Sequence, residues 1–117
     1  MATGTDYLQY VLDQLDGLGA VTSRHMFGGT GLYCDELFFG LIFGDTLYMK
    51  VNDSNRGDYE ARGMSPFRPY AGKPQVSMSY YEVPPDVLED GEQLVTWARR
   101  STEAAATKPQ KRRRRKR

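Results

Sequence analysis

His25 and Cys34 are the chain's only histidine and only cysteine, and both fall on predicted strands that neighbour each other in sequence. A zinc-type site needs three or four suitable ligands, and no second Cys or His exists to supply them. Asp35 and Glu36 could add carboxylates, but they stand at a predicted turn, where acids are ordinary. A Cys–His nucleophile pair needs an activated thiolate and a third group to orient the base. The plainer reading is a small buried thiol and a strand histidine, so no metal, cofactor or catalytic residue is assigned. The run Gly28-Gly29-Thr30-Gly31 invites comparison with phosphate loops, which place glycines between a strand and a helix N-terminus. Here the glycines lie between two strands, which favours a tight turn or bulge with positive φ. Paired carboxylates are plentiful, but acid–base chemistry requires a cleft that perturbs them. The chain therefore reads as a non-enzymatic protein.

Partner-binding chemistry is better represented. The ten residues from Lys108 to Arg117 contain Lys108, Lys111, Arg112, Arg113, Arg114, Arg115, Lys116 and Arg117, and no acid. Such a run repels itself and stays extended as a disordered basic tail. It suits phosphate backbones through counterion release, without reading base sequence. A solubilising tail, or one that lies on its own domain, is the competing use. An anionic membrane surface is disfavoured, because no amphipathic anchor accompanies the charge. Phe67, Tyr70 and Tyr81, in or beside a proline-rich loop, are candidates for a protein-binding patch, against core or loop packing as the commoner role.

The formal net charge of +1 conceals a division. Residues 1–107 hold all fifteen acids and eight bases, a net −7, whereas the tail is +8. Halves of opposite sign point to separate tasks. The length suits one domain, at 1–107, followed by the tail at 108–117. A hydrophobic fraction of 39% and an aromatic fraction of 12% supply enough apolar area for a core. The N-terminus shows no signal-peptide pattern and no apolar run approaches membrane-spanning length. With one cysteine, no intramolecular disulfide is possible, and the expected compartment is the cytoplasm.

The elements that must position these residues are legible from periodicity. Leu8, Val11, Leu12 and Leu15 follow helical spacing after Thr5 as a candidate N-cap, with Gly17 and Gly19 as the stop. Four short β-prone runs follow: Val21–Phe27, Gly31–Cys34, Leu37–Phe43 and Thr46–Val51. Their two- and three-residue separators predict consecutive hairpins. In the last run Leu47, Met49 and Val51 alternate with Thr46, Tyr48 and Lys50, giving one buried and one wetter face. A short helix over Arg56–Arg62, a loop over 64–75, a strand over Val76–Val83, a helical turn at Val87-Leu88 and a helix over Glu92–Ala106 complete the pattern. The order α-β-β-β-β-α-β-α predicts a two-layer α+β domain, its antiparallel sheet of about five strands carrying helices on one face. Connections this short exclude most parallel crossovers.

The stretch Ser23-Arg-His-Met-Phe-Gly-Gly-Thr-Gly-Leu-Tyr33 resembles the opening motif of the TfoX (Sxy) N-terminal-domain family. Leu47-Tyr-Met-Lys50, Gly63-Met-Ser-Pro-Phe67 and Met78-Ser-Tyr-Tyr-Glu-Val-Pro84 resemble later family segments in order, with Trp97-Ala98 where the family often carries such a pair. The resemblance spans about residues 5–106. It implies a two-layer α+β fold and a place in bacterial competence regulation, where such proteins promote transcription of DNA-uptake genes with the cyclic-AMP receptor protein. Full-length regulators of the family carry a second, C-terminal domain, where this chain has the basic tail. The resemblance supplies no catalytic residues; Met26, Phe27, Gly28, Gly29 and Tyr81 are read within it as fold determinants. The expected role is an accessory protein that binds a partner of the transcription machinery, with weak DNA contact through the tail. A small-molecule or enzymatic domain using the sheet face and a chaperone-like homodimer are the alternatives, and the chain is expected to be a monomer or a homodimer.

Overall fold

The structure is a computed structural model that describes residues 5–26, 29–67 and 79–106, without the side chains of Thr5 and Met26. Helix α1 (Thr5–Gln14) ends in a 3₁₀ turn, Asp16–Leu18, closed by Gly19 at a φ of 128°. Strands β1 (Val21–Met26), β2 (Gly29–Cys34), β3 (Leu37–Phe43) and β4 (Thr46–Lys50) then form consecutive antiparallel hairpins. Helix α2 (Arg56–Glu60) leads to β5 (Tyr80–Glu82), a helical turn α3 (Pro85–Leu88) and the long helix α4 (Gly91–Ala106). The sheet order is β1-β2-β3-β4-β5, the expected antiparallel arrangement. No helix among the described residues is long and apolar enough to cross a membrane.

Thr5 is the first residue of α1 in place of its cap, and β4, α2 and α4 each differ by one or two residues at one end. Two further boundaries differ more from the sequence reading. Gly29 and Thr30 belong to β2, paired with Met26 and His25, and do not serve as separators. The final strand is described only over Tyr80–Glu82, while residues 76–78 lie outside the described residues. The start of the expected loop in fact runs beside β5. Phe67 N–H donates to Tyr80 O at 2.8 Å, Glu82 N–H donates to Ser65 O at 3.0 Å, and Pro66 bridges Tyr81. Proline is tolerated there because only an edge position spares its missing donor.

The core forms between one sheet face and the helices. Leu32, Phe39, Ile42, Leu47, Met49 and Val51 meet Val11, Leu15, Val87, Leu94 and Ala98, all of them buried. A register shift opposite Leu32 and Tyr33 pairs these with Gly40 and Phe38 and leaves Phe39 as the extra residue of a bulge. The bulge lets Phe39 and Ile42, three positions apart, share the buried face. Polar groups close the far end of β4. Lys50 O accepts from Ser101 Oγ at 2.8 Å and from Asn55 Nδ2 at 3.2 Å, and both donors are buried. Asp90 caps α4, its Oδ1 accepting from Glu92 N–H at 3.1 Å.

Candidate functional site

Strand alternation leaves a second sheet face that carries no helix among the described residues. Pairings Arg24–Gly31, Tyr33–Phe38, Leu41–Tyr48 and Lys50–Tyr80 place these side chains together on it. Their rings form a continuous row. Tyr33 and Phe38 stack with centroids 5.2 Å apart, and Phe38 meets Tyr80 at 5.5 Å. The row ends in cations, the Arg24 guanidinium over Tyr33 and the Lys50 ammonium over Tyr80, each 5.2 Å from its ring centroid. A second cluster sets Phe67 against Tyr48 at 4.7 Å and Phe43 at 5.4 Å. Phe43 is among the most exposed large apolar side chains described, at 38%.

Electrostatics keep this face neutral at its centre. Burial pushes the Tyr80 hydroxyl up to about 12 and raises Tyr48 as well. The same desolvation lowers the Lys50 ammonium below its ordinary value. The ring faces are already occupied by each other and by the two cations. What the face offers outward is ring edges, hydroxyls and the exposed Phe43, which is contact area rather than a reacting group.

The residues singled out by sequence are distributed differently. Phe67 belongs to the helix-free face, whereas Tyr81 lies on the helix side, its ring 5.9 Å from Tyr59 and its hydroxyl donating to Glu60 at 3.1 Å. The two are therefore on opposite sides of the sheet, and Tyr70 lies outside the described residues. The basic tail, 108–117, also lies outside them. Of the positions read as fold determinants, Phe27, Gly28 and the Met26 side chain lie outside them too. Sequence reading missed Arg24, Tyr33, Phe38 and Tyr80 as a group. The alternation of Tyr48 and Lys50 gave part of the signal, but Phe38 joins the row only because the bulge shifts it.

His25 and Cys34 sit on adjacent strands, but Val21 pairs with Cys34 and His25 with Thr30. Four residues along a strand separate them by about 13 Å. Cys34 is 7% exposed, and burial raises its thiol above the ordinary value. The described residues contain no cluster of His, Cys, Asp or Glu fit to hold a metal ion. Gly29 is constrained by close approach: a Cβ there would stand 2.4 Å from Ile42 O. The described glycines with positive φ are Gly19, Gly44 and Gly63; at Gly29 strand packing is the requirement, while Gly28, between the paired Met26 and Gly29, lies outside the described residues.

The described basic side chains of the domain are engaged internally. Arg56 pairs with Asp53 at 2.8 Å, Arg62 with Asp86, and Arg100 with Asp58 at 2.5 Å. Arg62 also lies over the Trp97 ring at 5.4 Å, and Arg99 reaches Gly17 O at 3.5 Å. With Arg24 and Lys50 held over rings, these cations do not gather into a phosphate-binding patch.

No curated protein matches this sequence. The sequence profile of the TfoX N-terminal domain matches residues 13–105, a span that runs from the last turn of α1 through nearly all of α4 and includes every strand. The motifs that bear the likeness form the meander and the β4–β5 pairing, and the chain belongs to the TfoX N-terminal domain family.

Proposed function

We propose that this protein is a non-enzymatic accessory factor of transcription, whose acidic domain binds a protein partner and whose basic tail adds sequence-blind attraction to DNA. The observation that carries this reading is the division of charge, −7 over residues 1–107 against +8 over 108–117. It is supported by the internal engagement of Arg24, Lys50, Arg56, Arg62, Arg99 and Arg100. A domain whose cations are used in this way, and whose net charge is negative, is poorly suited to a polyanion. The helix-free face, with Tyr33, Phe43, Tyr48 and Tyr80, has the tyrosine-rich character of protein contact surfaces. Family membership supports a place in competence regulation, with the cyclic-AMP receptor protein and RNA polymerase as the partners to test first.

Gel-shift titration of a duplex of arbitrary sequence separates the two halves. The full chain is expected to bind weakly, with affinity falling steeply as salt rises, because each phosphate contact adds nearly one unit to the log–log slope. A chain ending at residue 107 is expected to show no shift. Retention of DNA binding by that shortened chain, or binding that ignores salt, overturns the assignment to the tail. Pull-down against purified cyclic-AMP receptor protein and RNA polymerase tests the domain. Capture by the shortened chain that is lost on Phe43→Glu is the expected result. Capture that requires the tail instead assigns the partner to the wrong half.

A further inference from the structure

The two edges of the sheet are built in opposite ways. Strand β5 is three residues long, and its outer side is covered by Ser65–Phe67, with Pro66 in the bridge. This is how proteins block unwanted strand addition. Strand β1 is six residues long, contains no proline, and pairs with β2 in unbroken register from Val21–Cys34 to Met26–Gly29. Among the described residues β2 is its one strand partner, and Thr22, Ser23, Arg24 and His25 are exposed. Bulge, proline and covering segment are all missing from this described edge.

We propose that β1 is the interface of a homodimer, in which two copies pair their β1 strands antiparallel about a two-fold axis and extend the sheet through both molecules. The register follows from geometry. Asp35 and Glu36 form a two-residue turn, so Cys34 and Leu37 exchange backbone hydrogen bonds as the closing pair. Alternation then turns the backbone groups of Gly31 and Tyr33 toward Arg24 and Thr22, their β1 partners. Val21, Ser23 and His25 are left with N–H and C=O groups directed at the open edge. A two-fold axis normal to the sheet requires paired residues to share a face, so it must pass beside a single residue that faces its own copy. Centring on Arg24 opposes two guanidinium side chains, which is unfavourable. Centring on Ser23 opposes two small hydroxyls and pairs Val21 with His25 of the second copy. Three narrow pairs then supply about six intermolecular hydrogen bonds.

Charge complementarity selects the same register. Ala20, Thr22, Arg24, Tyr33, Asp35 and Glu36 line a shallow, open depression of about 520 Å³ beside this edge. It is acidic toward the β2–β3 turn and basic at Arg24. In the Ser23-centred pairing, Arg24 of the second copy stands opposite Thr22, with Cα atoms about 4.5 Å apart. Its guanidinium then enters the depression that holds Asp35 and Glu36. The two-fold makes this contact twice. A second copy is therefore a better occupant of this edge than an arbitrary peptide, since the edge carries its own complement.

Sedimentation equilibrium on the full chain is expected to give twice the chain mass, with dissociation on dilution. Ser23→Pro removes an N–H that the monomer does not use and is expected to give the monomer mass with an unchanged circular dichroism spectrum. Ser23→Cys is expected to form an interchain disulfide with oxidised glutathione, because the facing positions fall within bridging distance. Thr22→Cys and Arg24→Cys are expected to stay uncrosslinked, their own copies lying more than about 7 Å away. A monomer at every concentration, a dimer that survives Ser23→Pro, or crosslinking at position 24 in place of 23 overturns the proposal. Should Ser23→Pro fail to fold, the wild-type mass and the three cysteine variants still decide it.

Discussion

Tyr59 concentrates the residue-scale physics of this domain. It is 1% exposed and packs edge-on against Trp97 at 4.7 Å. Its hydroxyl is buried without a well-formed hydrogen bond. The Ser101 hydroxyl beside it partly offsets the effect of burial, which still pushes the phenol up to about 12. Ser101 spends its one proton on Lys50 O, so it has none left to donate to a Tyr59 phenolate. An unsatisfied buried hydroxyl costs about 1–3 kcal/mol of desolvation. Tyr59→Phe keeps the ring and removes that cost, so it is expected to be neutral or stabilising by about 1 kcal/mol in urea denaturation. Tyr59→Ala, which empties the ring's volume, is expected to cost about 3–5 kcal/mol. A loss in the phenylalanine variant comparable with the alanine one means that the hydroxyl is satisfied after all.

Among the elements, the two ends of the β2–β3 hairpin are held by different means. The β2–β3 turn places Asp35 at φ 52° and Glu36 at φ 68°, the left-handed pattern of a type I′ turn. Aspartate tolerates this region, but glutamate gains nothing there to offset the crowding of its Cβ. Glu36→Gly is therefore expected to raise stability by about 0.5–1 kcal/mol, read as a higher melting temperature. At the opposite end of β2, Gly29 sits where any Cβ meets Ile42 O at 2.4 Å and Phe43 Cδ1 at 3.0 Å. Backbone cannot move aside as a flexible side chain can. Gly29→Ala is expected to cost about 1–3 kcal/mol through forced shifts of β2 against β3, measured by chemical denaturation. The two glycine exchanges thus run in opposite directions within the eight residues from Gly29 to Glu36, one relieving strain and one creating it.

For the whole molecule, alkaline pH is the informative variable. Tyr7, Tyr59 and Tyr80 are each held up to about 12, chiefly by burial. In the unfolded chain the same phenols ionise near 10. The folded value is the higher one, so the stabilisation is complete below about 10 and is lost as pH rises toward about 12. Thermal stability is expected to fall steadily across that interval. Phenolate absorbance of the native protein is expected to rise in two steps, the later one coinciding with unfolding. A single step near 10, with no loss of structure, contradicts the burial of these three hydroxyls.

The sequence alone determined the order and type of nearly every element, because these depend on local spacing. Leu8, Val11, Leu12 and Leu15 could only line one side of a helix, and Leu47, Met49 and Val51 one side of a strand. Asp35-Glu36 and Gly44-Asp45 could only be tight turns between β runs. The family motifs are equally local, and the match over residues 13–105 follows from them. The charge division needed only counting. The tertiary structure decided what depends on register and on neighbours distant in sequence. The bulge at Phe39 cannot be read from Leu37–Phe43, where either alternation places apolar side chains on both faces. Yet it brings Phe38 between Tyr33 and Tyr80 and so builds the aromatic row. Likewise, Phe67 and Tyr81 looked like neighbours on one loop until pairing across β5 put them on opposite sides of the sheet. Which edge is covered was also a matter of tertiary pairing, because Pro66 protects β5 only once the chain has folded back upon it. Local spacing specifies a strand, but only its partners fix its faces and its edge.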